Sequence, residues 1–145
     1  MKLNEKIKEY ILSRTVSSSE RRIGIEVECF IYKKNFSRIP VNKSQEYSAI
    51  DLLNELNKIN KDSNGTYSLE PGGQIEWSSP PCTNMIELND ALNSYKTLLD
   101  SILEKRDLIS LYMGVEPFTD PDSIELIDQK KYQLMNMNME KRGSL

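Results

Sequence analysis

The 145-residue sequence contains no histidine. A Ser-His or Cys-His catalytic pair, a zinc site with histidine ligands and a pH switch near neutrality all need an imidazole, so the composition excludes these mechanisms. Aspartate and glutamate, 22 residues in total, outnumber the basic side chains. We therefore expect carboxylates to carry any chemistry that this protein performs.

Cysteine is scarce, and long apolar runs are missing. Cys29 and Cys82 are the two cysteines, and their wide separation fits neither a disulfide-rich secreted scaffold nor a Cys-x-x-Cys metal or redox motif. Residues 1–9 carry charges from Lys2 onward and lack the apolar core of a signal peptide, and no stretch reaches the length of a membrane span. These observations predict two reduced thiols in an untargeted, cytoplasmic protein without a membrane partner.

The chain also lacks a concentration of positive charge. Its 19 lysine and arginine residues are scattered among the acids, and the net charge is −3. Because phosphate backbones are bound by basic stripes, we expect no nucleic-acid partner. The length corresponds to one domain at most, and 38% apolar residues are a lean supply for its core.

Periodic apolar patterns predict helices interspersed with strands, which is typical of an α+β protein. Helical spacing is found in three segments: residues 3–12, residues 49–59 after the N-cap candidate Ser48, and residues 85–113 after Asn84. A period of two predicts three strands: residues 23–33, 66–70 and 74–78. A further helix is predicted from Asp120 through Ile127, and a Met-rich run at 134–139 also has a helical pattern.

Glu26 and Glu28 are two residues apart on the predicted first strand. Their side chains leave the same face of that strand, opposite the apolar set that faces the core. Two neighbouring carboxylates repel each other unless a cation or a proton lies between them. The pair fits a metal site, and the alternative is a solvated polar face on a half-buried strand.

The predicted hairpin contains two more carboxylates, Glu70 and Glu76, on either side of the Pro-Gly-Gly turn at 71–73. A two-residue loop would place them on opposite faces, whereas a three-residue loop sets Glu70 opposite Gln74 and Ser68 opposite Glu76, on one surface. We favour the three-residue loop, because it also gathers the apolar side chains of both strands on the other face. An exposed hairpin with polar decoration is the alternative.

Four carboxylates on neighbouring strands predict a site for a hard cation. Magnesium and manganese prefer oxygen ligands, and magnesium is commonly held by carboxylates together with substrate phosphates, whereas zinc favours histidine or cysteine. Cys29 falls on the apolar face of the first strand, which favours a core position over a nucleophile. Nothing around Cys82 indicates a lowered thiol pKa.

Three motifs resemble those of a known family. Residues 23–30, Ile-Gly-Ile-Glu-Val-Glu-Cys-Phe, resemble the Gly-x-Glu-x-Glu-x-Phe strand of the glutamine synthetase and glutamate–cysteine ligase superfamily. Residues 68–78 are similar to the Leu-Glu-Pro-Gly-Gly-Gln-x-Glu-x-Ser signature of the plant-type glutamate–cysteine ligases, a group shared with many bacteria. Residues 131–135 and 143–145 are similar to the Arg-Tyr-x-x-Met and Gly-Ser-Leu segments of that family, although Lys131 replaces the arginine and Asn138 stands where a tyrosine is expected.

The resemblance implies a glutamine synthetase-like catalytic domain of the α+β class. In this fold an antiparallel sheet carries the metals on its concave face and is backed by helices on one face. The resemblance extends over the whole chain but only over the N-terminal part of the family's length. We therefore expect residues 1–145 to be the N-terminal part of a single catalytic domain, incomplete because the C-terminal remainder is absent, and inactive as a fragment alone.

The resemblance also implies an ATP-dependent ligase. Such an enzyme forms γ-glutamylcysteine from glutamate and cysteine through an acyl phosphate, the first step of glutathione synthesis, with ATP as co-substrate. By motif match, Mg²⁺ or Mn²⁺ would be bound by four residues: Glu26, Glu28, Glu70 and Glu76. Gln74, on the same face, is a candidate for contact with substrate.

Other functions stay open on the sequence alone. One alternative is a non-catalytic fragment or subunit that binds magnesium or nucleotide and needs a partner chain. A second is a related carboxylate–amine ligase that uses another amine, and a third is an α+β domain whose acids merely lie on the surface. The sequence identifies neither the acceptor amine nor the oligomeric state.

Overall fold

Helices and strands are interspersed along the residues that the computed structural model describes, which are 3–60 and 64–142. In chain order the elements are α1 (Leu3–Leu12), β1 (Glu26–Lys33), α2 (Ala49–Ile59), β2 (Thr66–Leu69), β3 (Ile75–Ser78), α3 (Met85–Glu104), β4 (Leu108–Leu111) and α4 (Lys130–Arg142). A short 3-10 turn, Pro121–Ser123, lies between β4 and α4. The predicted α+β class is confirmed.

The four strands form one antiparallel sheet in the order β2-β3-β1-β4. The long strand β1 is shared between two neighbours, because its residues 26–29 pair with β3 and its residues 30–33 pair with β4 on the opposite edge. Side chains of α2 and α3 pack in one cluster with the same face of this sheet. The predicted antiparallel sheet is thus confirmed, and its assignment to the glutamine synthetase-like superfamily stays a prediction.

The core lies between that face of the sheet and the two helices. Trp77 and Tyr95 stack within it, with ring centroids 4.8 Å apart and planes 2° from parallel. The indole N–H of Trp77 donates to the Asn64 carbonyl at 2.8 Å. Other buried side chains of this cluster come from the sheet and from both helices: Cys29, Ile31, Ile75, Leu52, Leu56, Leu99 and Ile102. The polar residues that alternate with them on the strands are left on the opposite face.

The third helix is shorter than predicted. The pattern predicted a helix to Met113, but α3 ends at Glu104 and residues 108–111 form β4. The helix closes with a tight turn in which the Arg106 N–H donates to the Leu103 carbonyl at 2.9 Å, and Asp107 adopts a left-handed φ of 58°. Pairing with residues 30–33 of β1 then satisfies the backbone of the Leu-Ile-Ser-Leu segment, so a tertiary partner outweighs the local helical period.

Two other boundaries differ from the sequence prediction. β1 starts at Glu26 and not at Ile23, which forms an isolated bridge to Cys82, because the facing segment contains Pro80 and Pro81, which have no N–H to donate. The helix predicted from residue 120 to residue 127 is wrong, since only the 3-10 turn forms there. Ile127 lies in an irregular segment instead, where its N–H donates to the Pro71 carbonyl at 3.0 Å.

The first two helices form where the sequence predicted them. α1 spans residues 3–12 and has no buried residue. α2 begins with a capping box, in which the Ser48 hydroxyl accepts from the Asp51 N–H at 3.2 Å and the Asp51 carboxylate accepts from the Ser48 N–H at 3.1 Å. Among the described residues, no helix is both long and apolar enough to cross a membrane.

Candidate functional site

The hairpin between β2 and β3 has the predicted register. Ser68 lies opposite Glu76 in the β2–β3 ladder, and the Glu70 N–H donates to the Gln74 carbonyl at 3.0 Å. The Gly73 N–H donates to the Glu70 carbonyl at 2.7 Å, and Gly73 has a φ of +81°. A turn followed by a left-handed glycine is the usual three-residue hairpin loop, so the preferred alternative of the sequence analysis is confirmed.

Pairing between β1 and β3 brings three of the four predicted carboxylates together. Glu28 lies directly opposite Glu76 across the two strands, and the Glu70 carboxyl is hydrogen-bonded to the Glu76 carboxyl. This hydrogen bond is the main cause that raises the pKa of Glu70, followed by partial burial and by the negative charges of Glu76 and Glu28. The nearby Lys131 ammonium acts in the opposite direction.

Glu26 lies on the same face, one step further along the sheet. Its partner across β3 is Ser78, and the Ser78 hydroxyl donates to the Glu76 carboxylate at 3.1 Å. Among residues 3–60 and 64–142, no three histidine, cysteine, aspartate or glutamate side chains are arranged as a group that could hold a metal ion. The assignment of Glu26, Glu28, Glu70 and Glu76 as metal ligands therefore stays a prediction.

The chemistry of the three clustered carboxylates nevertheless suits a hard cation. Negative groups held this close disfavour one another's ionisation, and their charges add to the hydrogen bond with Glu76 and to burial in raising the pKa of Glu70. A divalent cation between them would replace that repulsion by attraction, and carboxylate oxygens are the ligands that Mg²⁺ and Mn²⁺ prefer. The oxygen chemistry of these donors fits the predicted metal, whereas their arrangement in the described residues does not form a complete site.

Gln74, the predicted substrate contact, lies at the end of the same hairpin. Its side-chain oxygen Oε1 is buried and accepts no hydrogen bond within the described part of the chain. Buried acceptors are usually satisfied, so this oxygen is a candidate for contact with a ligand. Its contact with substrate stays a prediction.

The two cysteines behave as the sequence predicted. Both thiols are free and buried. Burial raises the pKa of the Cys29 thiol to about 12, and its sulfur lies 3.7 Å from the Tyr95 hydroxyl in the core. Cys29 is therefore a core residue and not a nucleophile.

A charged cluster that the sequence analysis missed lies beside the carboxylates. Phe30 and Tyr32 alternate with the core residues of β1 and so share the face of Glu28. Arg38 lies over the Phe30 ring, 5.2 Å from its centroid, and its Nε is 3.4 Å from a carboxylate oxygen of Glu116. No local pattern marks Arg38 or Glu116, because each stands in an irregular segment and they meet only in the folded chain.

The segment at 131–135, which resembles a family motif, is also close to the hairpin. The Tyr132 hydroxyl donates to the Leu69 carbonyl of β2 at 2.9 Å, and Lys131 Nζ lies 4.4 Å from the Tyr132 ring centroid. These contacts hold the start of α4 near Glu70. The Gly-Ser-Leu segment at 143–145 lies outside the described residues.

Comparison with known proteins gives a family and a set of relatives. The model of glutamate-cysteine ligase family 2 matches residues 22–145. The chloroplastic glutamate–cysteine ligase of Brassica juncea is 28% identical over 94% of this chain and 28% of its own length. Glutamate–cysteine ligase B, chloroplastic, of Oryza sativa subsp. japonica is 28% identical over 97% of this chain and 30% of its own length. The chloroplastic glutamate–cysteine ligase of Medicago truncatula is 26% identical over 94% of this chain and 29% of its own length.

Two consequences follow from these matches. The chain spans less than a third of the length of the curated relatives named here. The names of these relatives also correct the predicted compartment, because each is a chloroplastic protein. The expectation of a cytoplasmic protein was wrong on this comparison, since it relied on the scarcity of cysteine and on the lack of an apolar core in residues 1–9.

Proposed function

The chain belongs to glutamate-cysteine ligase family 2, and on this premise we propose that it supplies the cation-binding carboxylates of an ATP-dependent ligase that joins glutamate to cysteine. The observation that carries the proposal is the cross-strand pair of Glu28 and Glu76 with the Glu70 carboxyl beside it. All three residues belong to the motifs that resemble the family. The proposed substrates are glutamate, cysteine and ATP.

The proposed reaction has two steps. The terminal phosphoryl group of ATP passes to the side-chain carboxylate of glutamate, and ADP leaves. The amine of cysteine then attacks the acyl phosphate, so that an amide bond forms and inorganic phosphate is released. Phosphoryl transfer depends mainly on positioning and on neutralising the charge of the phosphates, and Mg²⁺ supplies that neutralisation when bound.

The role of this chain in that reaction is to bind and orient. Glu28, Glu70 and Glu76 would hold Mg²⁺ or Mn²⁺, and Glu26 extends the same acidic face by one residue pair. Binding is supported by the crowding of these carboxylates, which a divalent cation relieves. The free Oε1 of Gln74 offers an acceptor to an N–H group of a substrate.

Metal binding tests the proposal directly. Titration with Mn²⁺, followed by the electron paramagnetic resonance signal of the free ion, gives a dissociation constant for the wild type and for Glu76→Gln. We expect the variant to bind Mn²⁺ at least about tenfold more weakly, because losing a polar group that supports a metal has an effect of this size. Glu104→Gln, at the exposed end of α3, is the matched control and should bind like the wild type. Equal affinities of all three proteins would contradict the proposed site.

The acceptor amine needs a separate experiment. Release of ADP by the full-length protein is measured with ATP and glutamate, first without an amine, then with cysteine and with a panel of other amino acids. The proposal predicts release that depends on cysteine and exceeds the rate with every other amine. Equal rates with and without cysteine would exclude cysteine as the acceptor, and a faster rate with another amine would identify a related ligase.

A further inference from the structure

The position of Glu70 depends on the loop that follows it. β2 ends at Leu69, so Glu70 lies just outside the paired ladder and is fixed by the turn at 70–73. Glu28 and Glu76, by contrast, are held in register by the ladder between β1 and β3. The geometry of the three carboxylates therefore depends on what holds the turn against β1.

Arg38 reaches this turn from the segment that follows β1. β3 pairs only with residues 26–29 of β1. Residues 37–39 fold back along the part of that edge that β3 does not reach, where Arg38 forms an isolated bridge with Tyr32. This places the guanidinium beside the hairpin, and its Nη2 donates a hydrogen bond to the Gly72 carbonyl. The side chain is only 12% exposed, so the contact is largely shielded from water.

Glu116 holds the same guanidinium from the other side. Its carboxylate lies 3.4 Å from Arg38 Nε and is 7% exposed. It also accepts hydrogen bonds from the Tyr32 hydroxyl and from the backbone N–H groups of Phe118 and Thr119, the latter two at 2.8 Å and 3.0 Å. Glu116 is thus fixed to β1 and to its own loop, and it neutralises the largely buried positive charge.

We propose that Arg38 is a positioning residue, which connects the hairpin turn at Gly72 to β1 through Glu116 and Tyr32 and so holds Glu70 beside Glu28 and Glu76. An arginine is suited to this role because its planar group presents several N–H donors in fixed directions and bonds a carbonyl and a carboxylate at once. A lysine has a single ammonium and cannot reproduce both contacts. The part of this inference that concerns cation affinity rests on the proposed function.

The first test needs no metal. Amide hydrogen exchange is measured for Gly73, whose N–H donates to the Glu70 carbonyl at 2.7 Å, in the wild type and in Arg38→Lys. We expect at least a tenfold loss of protection at Gly73 in the variant, because the turn loses the hydrogen bond to Gly72 and keeps that of the Ile127 N–H to the Pro71 carbonyl. Arg106→Lys is the matched control: Arg106 forms an ion pair of 2.8 Å with Glu55 and lies 4.3 Å from the Tyr47 ring centroid, away from the hairpin. Unchanged protection at Gly73 in Arg38→Lys, or an equal loss in the control, would overturn the inference.

The second test uses a double-mutant cycle for Mn²⁺ affinity. If Arg38 acts through Glu70, Arg38→Lys weakens binding several-fold in the wild type and has no further effect in Glu70→Gln. A purely structural role would weaken binding equally in both backgrounds, which contradicts the inference. If the wild type itself does not bind Mn²⁺, the proposed function fails, and the exchange experiment still decides whether Arg38 holds the turn.

Discussion

At the scale of single residues, Gly73 is the position of the hairpin that is most tightly constrained. Its φ is +81°, and a Cβ atom built there would lie 2.8 Å from Cγ2 of the buried Val41. Gly73→Ala therefore adds a left-handed backbone penalty of about 1–2 kcal/mol and an overpacking penalty of similar size. We expect the free energy of unfolding, measured in urea, to fall by about 2–3 kcal/mol. This value lies at the lower end of the summed penalties because Val41 can shift.

The control for this substitution is Gly114→Ala. Gly114 has no positive φ and no heavy atom within 4 Å of a built Cβ, so its replacement should change the free energy of unfolding by less than about 0.5 kcal/mol. Similar losses in both variants would show that the loop does not need its left-handed glycine. That result would also remove the structural basis of the hairpin register.

A local sequence pattern identifies some residues of the candidate site and misses others. The strand period places Glu26 and Glu28 on one face, and the length of one loop places Glu70 and Glu76 on one face. The side-chain directions of all four residues were therefore predictable. Arg38 was not predictable, because its partners are separated from it by long stretches of chain. A buried ion pair between two irregular segments has no signature in the sequence of either one.

At the scale of elements, the start of α2 gives the sharpest prediction. Ser48 is fully buried, and its hydroxyl accepts the Asp51 N–H while its own N–H donates to the Asp51 carboxylate. Ser48→Ala removes the side-chain half of this capping box, and loss of such a cap costs about 1 kcal/mol. We expect a fall of this size in the free energy of unfolding, measured with urea at pH 7.

A serine within a helix provides the comparison. Ser94 lies on the exposed side of α3, where its hydroxyl donates to the Asp90 carbonyl at 2.8 Å. Ser94→Ala should leave stability unchanged or raise it slightly, because alanine has the higher helix propensity. If Ser48→Ala were as harmless as Ser94→Ala, the cap would have no energetic role.

Elements with strong local signals were predicted correctly, and those defined by a distant partner were not. The cap at Ser48 and the Pro-Gly-Gly loop at 71–73 act within a few residues, and α2 and the hairpin formed as expected. Residues 108–111 continue the apolar period of α3, but they become a strand because β1 offers an unpaired edge. The segment at 120–127 lacks helix because its contacts are made with the hairpin and with residues 41–42.

At the scale of the whole molecule, hydrogen-bonded carboxylates join segments that are far apart in sequence. Glu125 accepts from the Val41 N–H at 3.0 Å and from the Asn42 side chain at 2.7 Å, and Glu116 joins the 116–119 loop to β1 and Arg38. The Asn42 hydrogen bond is the main cause that lowers the pKa of Glu125. Burial raises the pKa of Glu116, but hydrogen bonds from Tyr32 and from backbone N–H groups outweigh it and leave that pKa lowered.

Lowered carboxylate pKa values predict how the fold responds to acid. A carboxyl group with a lowered pKa in the folded state contributes stability above its ordinary pKa, and this contribution is lost as the pH falls through the lowered folded value. Glu116 and Glu125 therefore stabilise the fold above the ordinary glutamate pKa of about 4.3 and lose that effect as the pH falls through their lowered values. Glu70 has a raised pKa and acts in the opposite direction, since its protonation relieves repulsion from Glu76.

The lowered pKa values of Glu116 and Glu125 are joined by those of Glu20, Asp51 and Glu87, and Glu70 alone acts in the opposite direction among these carboxylates. The free energy of unfolding should therefore fall between pH 6 and pH 3, with a small contribution from Glu125 because that side chain is exposed and screened. Urea unfolding of the wild type and Glu125→Gln at several pH values measures this. The variant should be less stable than the wild type at pH 6 and approach it at pH 3, since the charge that it lacks is then absent from both. A difference in the free energy of unfolding that stays constant with pH would mean that the Glu125 charge does not stabilise the contact with residues 41–42. Packing alone would then join these segments.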